Sequence, residues 1–259
     1  MQKFLISLTI VTVLVYLAFG ALLFSYQRDF LYSPAPAIAH KYTEIDVSNE
    51  GETLKMVALN SGKPSAILYF GGNSESVEYN IDDFLQAFPD VSIYLPKYRG
   101  YGGSTGKPTE VGLYSDALFI YDQLKAKHEN IAVIGRSLGS GVATFVASKR
   151  AVEKLVLITP FDSIQNIAQA SYPIFPMSLL LKDKHDSIGR VASIKAKTLL
   201  LVAEHDALIT RDMSERLFKQ FPAAQARQVI IKKTGHNTIS SGDGYYDLMS
   251  EFLVERAGE

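Results

Sequence analysis

The chain has 259 residues, 47% of them hydrophobic and 20% charged. That is ample apolar material for a core, and it excludes a disordered or fibrous chain. Twenty-six Lys and Arg against 27 Asp and Glu leave a net charge of -1, which gives no electrostatic footing for nucleic acid. No cysteine is present, so disulfide scaffolds, thiol catalysis and thiolate metal sites are excluded.

The first predicted element is apolar throughout. Residues 4–24 (FLISLTIVTVLVYLAFGALLF) contain no charge, Pro, Asn or Gln, and as a helix they would extend about 31 Å, the thickness of a bilayer's hydrocarbon layer. Lys3 precedes the run, while Gln27, Arg28 and Asp29 follow it. A cleaved signal peptide is the competing reading, with Ala18-Phe19-Gly20 as a small-x-small site, but secretory apolar cores usually run only about 7–15 residues. Residues 1–25 are therefore read as a retained single-pass anchor. The positive charges before the span lean toward a catalytic domain on the extracytoplasmic side. Residues 26–41, with Pro34 and Pro36, read as a tether whose Phe30, Leu31 and Tyr32 dock on the domain. The chain after residue 25 has no polybasic patch for anionic lipid, which leaves the helix as the contact with the membrane.

From residue 42 onward, strands and helices alternate. Residues 42–48 and 53–59 form an opening hairpin by their near-alternation, with a turn at 49–52. Short apolar runs follow at 66–70, 91–95, 131–134, 155–158, 198–202 and 229–231, apolar on both faces as buried parallel strands require. Val111, Tyr114, Leu118, Tyr121 and Leu124 mark a helical stripe, and helices are also expected at 138–150, 212–221 and 245–254. The pattern predicts an α/β fold, with an eight-stranded, mostly parallel sheet covered by helices on both faces. Function in such sheets collects at the carboxyl ends of the strands.

At the end of the run 131–134 stands Gly135-Arg136-Ser137-Leu138-Gly139-Ser140-Gly141. A serine in G-x-S-x-G between strand and helix sits on a tight turn that exposes its Oγ as a nucleophile. The Leu138 N–H then lies at a helix start, without an internal partner and available to an oxyanion. A serine hydroxyl needs a base, and His236 in Thr234-Gly235-His236-Asn237 follows the last strand. His40, His128 and His185 read as surface residues, and His205 lies between the two candidate acids. The carboxylate orienting His236 is assigned to Asp206, after the strand 198–202, in preference to Glu204. Asp162 reads as half of a helix capping box with Gln165. The Gly-rich loop Phe70-Gly71-Gly72-Asn73-Ser74 would supply the second oxyanion N–H, from Asn73, with Ser74 as the nearest competitor. The long excursion 161–196 contains Tyr172-Pro173-Ile174-Phe175-Pro176-Met177. It forms either a small cap over an acyl-chain slot or a helix packed on the sheet.

The order Ser137, Asp206, His236 on this alternation resembles the α/β-hydrolase superfamily. Leu31-Tyr32-Ser33-Pro34, Phe70-Gly71-Gly72-Asn73, Pro96-Lys97-Tyr98-Arg99-Gly100-Tyr101-Gly102-Gly103-Ser104, the Ser137 motif and Gly235-His236-Asn237 together resemble the membrane-anchored Bem46-like hydrolases, relatives of the ABHD12, ABHD13 and ABHD17 groups. Gly71 replaces a histidine common in that group, and Lys97 stands where an acid is common, which counts against an ion pair to Arg99; Arg99 is read as structural support beneath the site. The resemblance implies an α/β-hydrolase domain over residues 42–259 with a cap excursion at 161–196. It implies a serine hydrolase of esterase, lipase or thioesterase type, working without metal or organic cofactor on acyl ester or thioester substrates that are lipid-like. A membrane-bound peptidase with the same triad and a non-catalytic binding protein on the same fold are the alternatives.

Overall fold

A computed structural model describes residues 1–254 of the chain; residues 255–259 of the expected catalytic domain lie outside the described residues. Helix α1, Gln2–Leu31, is unbroken for 30 residues because nothing in it forbids helical backbone, and at 1.5 Å per residue it is about 45 Å long. Thr9 and Thr12 donate their hydroxyls to the Leu5 and Leu8 carbonyls, each at 3.0 Å, so neither presents an unpaired polar group on an apolar helix. Extended backbone at Tyr32 stops the helix, with Pro34 beyond. The helix thus runs past the uncharged stretch and takes in residues 26–31, expected as the start of an irregular tether.

The sheet contains β1 (Thr43–Asn49), β2 (Glu52–Leu59), β3 (Ser65–Phe70), β4 (Ser92–Pro96), β5 (Asn130–Arg136), β6 (Lys154–Ile158), β7 (Lys197–Ala203) and β8 (Ala226–Ile231). Their order is β1-β2-β4-β3-β5-β6-β7-β8. The β1–β2 and β2–β4 pairs are antiparallel and the remaining five are parallel. The parallel strands are apolar on both faces because both are covered. Leu68, Val133 and Leu155 face α3 (Glu110–Lys125) and α4 (Leu138–Lys149), where Leu113, Tyr121 and Val146 complete one core layer. Ile67, Ile134 and Val156, one residue out of phase, face α2 (Ile81–Ala87) and α8 (Tyr245–Val254), where Phe84 and Met249 complete the other. Helix α2 was not apparent in the sequence, since two turns are too few to establish a period.

Between β6 and β7 lie α5 (Ile164–Ser171) and α6 (Met177–Leu180), and α7 (Arg211–Phe218) follows β7. The excursion does not lie on the sheet along its length. Phe175 and Met177 pack with Leu23 of α1, against Ala168, Leu180 and Leu181, so the cap is built partly from the N-terminal helix. The capping residue of α5 is Ser163, which accepts from the Asn166 N–H, rather than Asp162 with Gln165. Asp162 is fully buried and accepts from the Ser163 N–H, from Asn166 Nδ2 and from Arg216 Nε of α7.

Candidate active site

Ser137 joins β5 to α4 with φ 51° and ψ -117°, backbone that a non-glycine residue holds only under constraint from its surroundings. The constraint is close packing on both sides. A Cβ on Gly139 would lie 2.0 Å from the Phe70 carbonyl oxygen, and one on Gly135 would lie 2.3 Å from that of Gly139. Only glycines let the start of α4 approach β3 and β5 so nearly. The Ser137 N–H donates to the Ile158 carbonyl at 2.9 Å, which extends the β5–β6 pairing up to the turn and leaves the side chain projecting beyond the strand ends.

Asp206 and His236 arrive from the ends of β7 and β8. Asp206 Oδ1 accepts from the N–H groups of Leu208 and Ile209 at 2.9 and 2.8 Å, an Asx-type turn that fixes the carboxylate. Its Oδ2 lies 2.8 Å from His236 Nδ1, and His236 Nε2 lies 3.0 Å from Ser137 Oγ. An ionised carboxylate can only accept. Nδ1 therefore carries the ring proton, and Nε2 presents its lone pair to the serine hydroxyl. The three expected side chains are in line, although 99 residues separate Ser137 from His236. Glu204 is directed elsewhere, accepting from the Lys233 N–H at 2.8 Å.

The loop after β3 lies against Ser137: a Cβ on Gly72 would come 3.7 Å from that of Ser137. Glu75 shapes the loop, accepting from the Gly72 N–H at 2.7 Å, Tyr69 Oη at 2.6 Å and Asn80 Nδ2 at 2.6 Å. Tyr98 Oη donates to the Gly71 carbonyl at 2.8 Å. The Asn73 side chain is engaged away from Ser137. Its Oδ1 accepts from the Ser33 N–H and Tyr101 Oη, and its Nδ2 donates to the Leu31 carbonyl at 2.7 Å. Leu138 begins α4, so its N–H has no intrahelical acceptor. An open cavity of about 420 Å³ is lined by Gly72, Asn73, Ser74, Glu75, Arg136, Ser137, Leu208, His236 and Asn237. Of these, Glu75, Arg136, Leu208 and Asn237 were not singled out from the sequence; only their position beside a motif residue could have drawn attention to them.

Two histidines expected at the surface are buried. His128 meets Tyr94 Oη at 2.9 Å. His185, with no exposed surface, lies between Tyr32 Oη at 3.1 Å and Tyr114 Oη at 3.0 Å. Burial pushes the His185 imidazole down to about 4. Tyr32 also donates to Asp183, whose other contacts are two hydrogen bonds from Arg28. Lys97 is buried between Glu44 at 2.6 Å and Glu78 at 2.9 Å. Arg99 instead forms a two-pronged pair with Asp116 of α3, at 2.7 Å on each arm. It fastens its loop to α3, and the direct support beneath the loop after β3 comes from Tyr98.

The chain is 30% identical to the uncharacterized protein Rv2307c of Mycobacterium tuberculosis, over 97% of this chain and 96% of that one. It is 28% identical to the uncharacterized membrane protein YNL320W of Saccharomyces cerevisiae, covering 76% and 73%, and 27% identical to protein bem46 of Schizosaccharomyces pombe, covering 73% and 67%. The chain belongs to the Bem46-like α/β-hydrolases. No established family profile matches it. Among solved structures, the esterase Pf2001 of Pyrococcus furiosus superposes with a TM-score of 0.67 at 17% identity, covering 85% of this chain and 98% of that one. A CIB-like hydrolase from Thermoplasma acidophilum superposes with a TM-score of 0.62 at 20% identity, covering 83% and 99%. These likenesses establish the α/β-hydrolase fold for this Bem46-like chain. Gln2–Leu31 is long and apolar enough to cross a membrane, in keeping with the membrane-protein designation of the yeast relative.

Proposed function

We propose that this chain is a membrane-anchored serine hydrolase that cleaves carboxylic ester or thioester bonds of lipid-like or acylated substrates. The observation that carries the reading is the aligned series Asp206, His236, Ser137, at 2.8 and 3.0 Å. Ser137 Oγ attacks the substrate carbonyl carbon as its proton passes to His236 Nε2, and Asp206 stabilises the imidazolium that forms. The N–H groups of Leu138 and Asn73 donate to the oxyanion. The tetrahedral intermediate collapses, His236 protonates the departing alcohol or thiol, and an acyl-Ser137 ester remains. Water, deprotonated by His236, then attacks that ester; the C–Oγ bond breaks, His236 returns the proton to Ser137 Oγ, and the carboxylic acid leaves. These steps call on no metal or organic cofactor.

The lipid-like substrate class is supported by an apolar cavity of about 190 Å³ between α1 and the cap, lined by residues that include Leu23, Phe30, Leu31, Ile164, Ile167 and Met177. An engineered apolar cavity of about 150 Å³ holds benzene, so this one has room for a segment of an acyl chain. In this reading residues 1–25 anchor the chain, residues 26–41 connect it, and residues 42–259 form the catalytic domain on the extracytoplasmic side, with the cap excursion at 161–196. The test is a chain-length series of esters, thioesters and peptides offered to the intact protein and to Ser137→Ala, with fluorophosphonate labelling of both. Turnover and labelling are expected only with Ser137 present, rising with acyl length. Equal labelling of Ser137→Ala sinks the serine mechanism. Equal rates for acetyl and long-chain esters sink the substrate class.

A further inference from the structure

The cap runs beside α1 in matched order. Tyr16 Oη donates to the Ile174 carbonyl at 3.0 Å, and the Tyr16 ring stacks on Phe175 with centroids 4.7 Å apart. Further along, Leu23 packs with Met177, Gln27 Nε2 donates to the Leu180 carbonyl, and Arg28 pairs with Asp183. Polarity changes at the same level on both segments. The apolar run of α1 ends at Phe24, four residues before its first charge at Arg28, and no charged residue stands between Asp162 and Lys182 in the cap. If Phe24 marks the edge of the hydrocarbon, Tyr16 and the Phe175 ring stacked on it lie about 12 Å inside it, at 1.5 Å per residue.

The tip is chemically suited to that depth. Ile174 and Leu179 are 71% and 79% exposed, and water is a poor solvent for both. Backbone groups in hydrocarbon must find partners within the protein. The carbonyls of Pro173 and Phe175 accept from Gln169 Nε2, that of Tyr172 accepts from the Phe175 N–H, and that of Ile174 accepts from Tyr16. Gln169 Oε1 takes the Met177 N–H, and Pro173 and Pro176 have no N–H to satisfy.

We infer that residues 172–177 are themselves embedded in the bilayer beside the anchor, with Ile174 facing acyl chains and Leu179 meeting them at the hydrocarbon edge, where the carbonyls of Ser178 and Leu180 accept from Lys184 and Gln27. The enzyme thereby enters the membrane with a part of its catalytic domain as well as with its helix. The inference rests on reading α1 as a membrane anchor. It places the cavity between α1 and the cap at the hydrocarbon edge, where an acyl chain reaches it from the bilayer without crossing water.

The chain has no tryptophan, so single introduced tryptophans report depth directly. Full-length Ile174→Trp, Leu179→Trp, Leu14→Trp and Tyr79→Trp are reconstituted in phosphatidylcholine vesicles with brominated or ordinary acyl chains. All four sites are exposed, so the larger ring disturbs no packing. Emission from Ile174→Trp and Leu179→Trp is expected to fall roughly twofold or more with brominated chains and to resist aqueous iodide, as residues inside a ~30 Å hydrocarbon layer do. Tyr79→Trp should show the reverse. Bromine quenching at Leu14→Trp with iodide quenching at Ile174→Trp and Leu179→Trp overturns the embedded tip and leaves the anchor standing. Iodide quenching at Leu14→Trp overturns the anchor reading, and the embedded tip with it.

Discussion

Asn73, in the loop beside Ser137, donates its side-chain N–H to the carbonyl of Leu31, the last residue of the N-terminal helix, at 2.7 Å. The same side chain accepts from the Ser33 N–H, so the proposed oxyanion loop is braced by the segment that leaves the anchor. Asn73→Ala keeps the backbone N–H but removes the brace. It should lower kcat on a soluble ester by roughly 10- to 100-fold, part of the 10²–10³ attributed to a lost oxyanion donor, with KM little changed. Steady-state kinetics check this, and an unchanged kcat removes the brace from any role in turnover.

Asp206 Oδ2 accepts a hydrogen bond from the Nδ1–H of His236 at 2.8 Å, and an amide nitrogen at that place would invert the hydrogen bond and the tautomer. Asp206→Asn should therefore reduce kcat on the order of 10⁴-fold. Glu204→Gln should stay within about twofold of the parent, because Glu204 orients no part of His236 and such exposed changes are usually slight. Comparable losses in the two variants would mean that the acid has been misassigned.

Folding stability should fall with acid through His185. Burial holds its folded value near 4, below the ordinary 6.5, because the charged ring loses its hydration there and meets the Arg190 charge, while the opposing attraction of Glu110 and Asp183 does not make up the loss. A depressed base favours the folded state at pH above 6.5, where both states are neutral. Below 6.5 the unfolded ring gains its proton first, and stability declines until pH nears 4. The full loss is on the order of 3 kcal/mol. Urea titrations between pH 4 and 8 should show a steeper decline for the parent than for His185→Gln at the acid end. Parallel curves would contradict this origin.

Gly139 and Gly20 should respond in opposite ways to alanine. The Gly139 Cβ would meet the Phe70 carbonyl at 2.0 Å, whereas the Gly20 Cβ would touch the Phe175 ring at an ordinary 3.5 Å. Gly139→Ala should cost about 1–3 kcal/mol or more, as overpacking against backbone does, and should abolish fluorophosphonate labelling by displacing Ser137. Gly20→Ala should retain labelling and thermal stability. Full labelling of Gly139→Ala would show that the turn does not depend on this close approach.

The sequence by itself determined the alternating fold, the apolar N-terminal helix and the positions of Ser137, Asp206 and His236. Each of these is written locally, in a period, a run of apolar residues or a motif at a strand end. Only the tertiary structure decided that His128 and His185 are buried, that Arg99 pairs with Asp116, and that the cap packs on α1. It also joined Asn73 to Leu31. A polar residue is buried only when partners arrive to satisfy it, and those of His185 lie 153 and 71 residues away in the chain. The residues flanking His185 include Lys182, Lys184 and Asp186 and read as solvated. Its surroundings were set by Tyr32 and Tyr114, which only folding brings beside it.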